Sequence, residues 1–228
     1  MKLPLDAPAA AGRPFIALIR EIAIAILRTV EAGWGIALSF PDVDEASGEV
    51  AITERLRDGM RQALNSGEFD WGGSMVVLDG SESRSRPDIL VPDGRTDIPI
   101  LVIEIFQRLR VHNPHAIIEC KRIAGDDTRL CREYVVEGID RFRLGKYGGN
   151  HSTGFMVGYL IAGDAAAAVM GIGRHLGRKS RDAENLEPST LVAACWAWRS
   201  DHPRAKGSPI ELHHAFLSFV RSQNSRDR

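Results

Sequence analysis

Residues 14–30, PFIALIREIAIAILRTV, place Ile16, Ile19, Ala23, Ile26, Leu27 and Val30 at helical spacing, with Arg20, Glu21 and Arg28 between them. One apolar stripe on an otherwise polar cylinder predicts an amphipathic helix laid on a core. A loop rich in Gly, Pro and acids follows (33–49). Then AITERLRDGMRQALNSG repeats the helical arrangement, with Ile52, Leu56, Met60 and Leu64 in line and Gly67 as a stop.

Beyond residue 73 the period shortens. SMVVLDG and DILVPDG are short apolar runs closed by Asp-Gly turns, and DIPILVIEIF (97–106) is a longer one. QRLRVHNP reads as a turn and HAIIECKRI (115–123) as the next strand. Pro99 implies that one side of the 97–106 strand is unpaired. LCREYVVEGIDRFRLGKYG returns to helical spacing, with Tyr134, Gly138, Arg141 and Phe142 on one face. TGFMVGYLIAG (153–163) is an apolar strand, and Asp164 is placed to cap the helix that begins AAAAVMGI. LVAACWAWRS and IELHHAFLSFV read as the last strands, the second also compatible with a helix. Helices, a run of strands, helix, strand, helix and strands predict an α/β fold with a mixed central sheet flanked by helices.

Composition narrows this to one domain. The 228 residues are 44% hydrophobic and 26% charged, enough for a single well-filled core. The formal charge is only −1, yet residues 171–228 hold ten bases against six acids. That basic third is a candidate for phosphate contacts. Three cysteines with no CxxC pair argue against a disulfide framework and a cysteine-rich zinc site, so a reducing, cytoplasmic location is expected. The charges inside 14–30 interrupt the apolar centre that a signal peptide or membrane span needs.

Candidate chemistry lies at the far end of HAIIECKRI. Residues two apart on a strand share a face, so Glu119 and Lys121 project together beside Ile117, while Cys120 and Arg122 face the other way. Burying either charge alone costs several kcal/mol, on the order expected for an unpaired ion. A divalent cation on the carboxylate and a phosphate or water at the lysine remove that cost, and Mg²⁺ is held by carboxylates together with substrate phosphate. A second carboxylate is then needed. Asp88 in RPDI and Asp97 in RTDI are the candidates, and a hairpin between 97–106 and 115–123 favours Asp97. Glu54 on the second helix is a candidate to complete the cluster. Elsewhere, HNPH and HH do not give a complete zinc site, and GIGRHLGRKS fails the phosphate-loop spacings. Trp71, Trp196 and Trp198 read as packing residues.

The order of acidic helix, strand with Asp, turn, strand with IECK, and helix with Tyr and Arg resembles the PD-(D/E)xK nuclease superfamily over about residues 50–165. The Asp element is RPDI or RTDI and the (D/E)xK element is IECK. The resemblance implies a restriction-endonuclease-like αβββαβ core within a single nuclease-like domain spanning 1–228. A helical part covers 1–67 and a C-terminal helix with strands covers 165–228. It implies Asp97 (or Asp88) and Glu119 on Mg²⁺, or Mn²⁺ in its place, with the main-chain carbonyl of Cys120 as a further ligand. It gives Lys121 to the attacking water or the charged transition state. Arg141, Lys146 and Arg122 are the candidate DNA contacts. The company this fold keeps implies hydrolysis of DNA in defence against foreign DNA, by a homodimer or with a partner subunit that supplies targeting. The alternative is a non-catalytic DNA-binding or protein-interaction module of the same fold.

Overall fold

The computed structural model describes residues 15–80, 82–83, 94–205 and 207–220, with backbone alone at 82–83. Asp88 and most of the DILVPDG run lie outside the described residues. Helix α1 (Arg20–Ala37) begins later than its apolar stripe. Ile19 is the exposed residue before it, and Ile16, buried, forms a bridge to His151 instead of joining the helix. At the other end, α1 takes up five residues of the expected loop before α2 (Glu49–Asn65). The two helices approach closely because both carry glycine at the contact. A Cβ on Gly59 would stand 2.1 Å from the Gly33 carbonyl oxygen, and one on Gly33 would stand 2.6 Å from Met60 Cγ.

The first strand is β1 (Met75–Val77), followed by a two-stranded hairpin of β2 (Glu82–Ser83) and β3 (Gly94–Arg95). The long strand expected over 97–106 is shorter: β4 (Ile98–Val102) gives way to a helix, α3 (Ile103–Leu109), so QRL belongs to that helix rather than to a turn. The buried ring of His115 explains the break, because its Nδ1 accepts from the Val102 amide and closes the strand there. β5 (Ala116–Ala124) follows. The next helical stretch runs from α4 (Thr128–Glu133) through a π turn (Tyr134–Ile139) into α5 (Asp140–Arg143). β6 (Thr153–Ala162) leads to α6 (Ala165–Gly177), whose N-terminus is capped as expected by Asp164, accepting from the Ala167 amide. The chain ends with a 3₁₀ turn (Asp182–Glu184), β7 (Glu187–Pro188), β8 (Ala197–His202) and β9 (Ile210–Ser218). The segment 191–196, expected to be strand, is not.

Seven strands form one mixed sheet in the order β1-β4-β5-β6-β9-β8-β7. β5, β6 and β9 are parallel, and the outer neighbours pair antiparallel. The parallel centre is buried on both faces, which is why its strands are nearly continuous apolar runs. One face packs on α1 and α2 through Ile26, Val30, Ile52, Leu56 and Met60 against Ile118, Phe155 and Val157. The other packs on the π turn, α5 and α6 through Tyr134, Phe142 and Ile172 against Ile117, Met156 and Phe216. Among the described residues no helix is long and apolar enough to cross a membrane.

Candidate functional site

The site is built by a fork in the sheet. β4 pairs with β5 only over Ala116–Ile118, and beyond Ile118 β5 is hydrogen-bonded on its β6 side alone. The backbone groups on the open edge therefore need other partners. Side chains supply them. Asp97, just before β4, accepts at Oδ2 from the Cys120 amide at 2.7 Å, Glu49 Oε2 accepts from the Arg122 amide at 3.1 Å, and Lys121 Nζ donates to the Cys120 carbonyl at 2.8 Å.

Those contacts gather the acids and the amine. Lys121 Nζ stands 2.8 Å from Glu119 Oε1 and 2.9 Å from Glu49 Oε1, so its ammonium meets three oxygens. Arg141 on α5 reaches the same Glu119 oxygen at 3.5 Å. It also donates to the hydroxyl of the buried Tyr147, which in turn donates to the Arg95 carbonyl at 2.7 Å. From α2, the buried Arg57 donates to the main-chain oxygen of Asp97 at 2.9 Å, fixing the residue that begins the fork.

Burial governs the electrostatics. Glu119 is 1% exposed, and desolvation together with the Asp97 carboxylate pushes it up to about 8 despite Lys121 and Arg141. Desolvation also raises Asp97, against the pull of Lys121. Burial works to lower the Lys121 ammonium, but Glu119, Glu49 and Asp97 outweigh it and hold the group above its ordinary value. Tyr147 is pushed to about 12 by burial and by Glu119.

Asp97, Glu119, Cys120 and Lys121 thus come together, with Arg141 beside them. The others do not. Glu54 pairs with Arg57 at 2.7 Å, and its side chain is half exposed. Five residues of helix rotate it about 140° from Glu49, so one acid on α2 reaches the fork and the other points away. Arg122 turns its guanidinium to the Glu45 carbonyl at 3.1 Å, and Lys146 is exposed on the turn after α5. The residue that sequence reasoning missed is Glu49. Its signal was present: an acid in the first turn of an amphipathic helix, behind Gly48.

Oxygen donors alone suit a hard cation. Glu119 Oε2 is buried with no hydrogen-bond partner, and Asp97 Oδ2 accepts from the Cys120 amide, so both carboxylates keep lone pairs for one. Among the described residues no three Asp, Glu, His or Cys side chains form a group that could hold a metal ion. Two carboxylates with water and substrate oxygens making up the rest is the usual arrangement for Mg²⁺. Comparison of the chain with models of protein families, with curated proteins and with solved structures gives no match.

Proposed function

We propose that the protein is a Mg²⁺-dependent nuclease of the PD-(D/E)xK type that hydrolyses DNA phosphodiester bonds. The observation that carries the reading is the convergence of Asp97, Glu119, the Cys120 carbonyl and Lys121 at the β4–β5 fork. The order of elements supports it: α2, three antiparallel strands β1, β4 and β5, a helix, and β6 parallel to β5 follow the αβββαβ plan. Asp97 lies just before the middle strand and Glu119 and Lys121 lie on the third, which supports that reading.

Mg²⁺ (or Mn²⁺), when bound, would neutralise charge on the phosphate and lower the pKa of a water so that it could attack as hydroxide. Asp97 and Glu119 would hold such an ion, together with the Cys120 carbonyl. Lys121 keeps its proton at working pH, since its neighbours hold it above its ordinary value. It therefore acts as a fixed cation that orients the water and stabilises the charged transition state. Arg141 has a partly exposed guanidinium beside Glu119, and Tyr147 holds it there to anchor a phosphate oxygen.

One observation favours a second reading, a non-catalytic DNA-binding or protein-interaction module. The Lys121 ammonium already finds three acceptors within the chain, so the cluster is also a closed structural ion network. Supercoiled plasmid separates the two. The nuclease nicks or linearises it with Mg²⁺, is silent in EDTA, and loses at least a hundredfold of its rate in Lys121→Ala, the scale of a lost electrostatic stabiliser. Cleavage that persists in EDTA or in the variant, or none under any condition, refutes the assignment.

A further inference from the structure

Away from the fork, five buried polar side chains join end to end across β8, β9 and the π turn. Glu184 Oε2 lies 2.5 Å from His202 Nδ1, His202 Nε2 lies 2.7 Å from Ser200 Oγ, Ser200 Oγ lies 2.7 Å from His214 Nε2, and His214 Nδ1 lies 3.0 Å from the Tyr134 hydroxyl. Ser200, His202, His214 and Tyr134 are each at most 2% exposed. The strand register produces the alignment. Ser200 and His202, two apart on β8, share a face, and His214 opposite Trp198 is the diagonal neighbour of Ser200.

With both histidines neutral, the hydrogen count leaves one arrangement in which every bond has one proton. Glu184 is ionised: burial opposes this, but the bonds from His202 and Arg181 hold it at about 2. His202 therefore donates from Nδ1, and its bare Nε2 accepts from Ser200. Ser200 then accepts from Nε2–H of His214, whose bare Nδ1 accepts from Tyr134. A proton added to His214 at Nδ1 turns that nitrogen into a donor, and the Tyr134 hydroxyl must accept, leaving its own hydrogen without a partner. No other acceptor among the described residues is hydrogen-bonded to that hydroxyl.

We propose that this chain is an acid-sensitive latch: one proton on His214 orphans the Tyr134 hydroxyl and releases the π turn Tyr134–Ile139 from the sheet. The turn backs the candidate site, since a Cβ on Gly138 would stand 3.7 Å from Lys121 Cγ. Other charges face the chain as well. Arg181 bonds both Glu184 and Asp140, Arg143 lies 3.7 Å from Glu184, His213 adjoins His214 on β9, and Cys120 is within electrostatic reach of Tyr134. Burial, with His202 and His213 nearby, keeps His214 neutral well below the ordinary histidine value. A histidine lowered in the folded state favours folding above its unfolded value, about 6.5, and that contribution fades as pH falls below it. The latch does not depend on what the Lys121 site catalyses.

Two measurements on the full chain test it. Nitrogen-15 histidine spectra at pH 7.5 are expected to show His202 protonated only at Nδ1 and His214 only at Nε2. Native-state hydrogen exchange is expected to show amides 135–139 opening up to about tenfold more per pH unit between 6.5 and 5.5, after correction for intrinsic rates, while β6 amides change less. In His214→Gln that dependence disappears. Other tautomers, a charged His214 at pH 7.5, protection unchanged down to pH 5.5, or the same dependence in the variant overturns the proposal. If the variant does not fold, the wild-type tautomers and exchange decide.

Discussion

Glu119→Gln tests the electrostatics of the fork without reference to catalysis. In the folded protein Glu119 takes up its proton at about 8, against an ordinary value of 4.5. Between those values the native state holds a proton that the unfolded chain has released, so wild-type stability must fall as pH rises. One proton is worth about 1.4 kcal/mol per pH unit, so from pH 5 to pH 8 the wild type should lose about 4 kcal/mol relative to the variant. The glutamine keeps the shape and removes the titration. Its lost contact with Lys121 adds an offset that is flat in this range, because Lys121 stays charged throughout. Histidines and the acids away from the fork are common to both proteins and cancel in the difference, whereas Asp97, coupled to Glu119, titrates differently in the two. Urea unfolding in EDTA at half-unit pH steps measures it. Mg²⁺ added at pH 8 should then raise wild-type stability and leave the variant unmoved, because only the wild type has the second carboxylate. A difference independent of pH, or one with the opposite slope, means that Lys121 and Arg141 keep Glu119 ionised and that burial does not dominate the site.

Tyr147→Phe deprives Arg141 of an acceptor and the Arg95 carbonyl of a donor, so unfolding should show a loss of about 1–3 kcal/mol, and cleavage should fall more than DNA binding in Ca²⁺. Glu49→Gln weakens the acceptor shared by Lys121 Nζ and the Arg122 amide and should reduce cleavage strongly, whereas Glu54→Gln loses a half-exposed pair with Arg57 and should change stability by less than about 1 kcal/mol and cleavage not at all. Equal effects of the two would mean that α2 is rotated from its described position. Gly59→Ala drives a methyl group into the Gly33 carbonyl and should cost at least about 1–3 kcal/mol in thermal or urea unfolding by forcing α1 and α2 apart.

Much of this architecture is legible in the residues because burial writes a period into them. The stripe of Ile52, Leu56, Met60 and Leu64 is a helix on the core, and the apolar runs at 115–123 and 153–163 are two central strands. The errors fall where a distant contact overrides the local pattern. Ile16 and Ile19 continue the helical stripe, but Ile16 is drawn into a bridge with His151 and the helix starts after both. VIEIF is apolar enough for a strand, yet His115 closes β4 at Val102 and the chain turns helical. His214 looked unremarkable as half of a His-His pair, because its partners are residues 134 and 200, which only the β8–β9 register brings to it. Glu49 and Glu54 cannot be told apart without the helix phase, which depends on how α2 sits on the sheet.

The same dependence on register controls the candidate site more tightly than any single contact. Three antiparallel pairs, Ile98↔Ile118 to Ile100↔Ala116, decide which residue of β5 is first on the open edge. Because Ile98 faces Ile118, the carboxylate of Asp97 meets the Cys120 amide, and Glu119 and Lys121 project on the face that Arg141 covers. A slip of one residue would turn Cys120 and Arg122 to that face and bury Glu119 and Lys121 among Ile52 and Leu56. That alternative is opposed by the seven-pair ladder of β5 with β6 and by the apolar residues Ile118 and Cys120 already seated against α2. The charges in IECKR therefore do not choose their own location. The isoleucines beside them do, because a one-residue slip would bury an ion in the core.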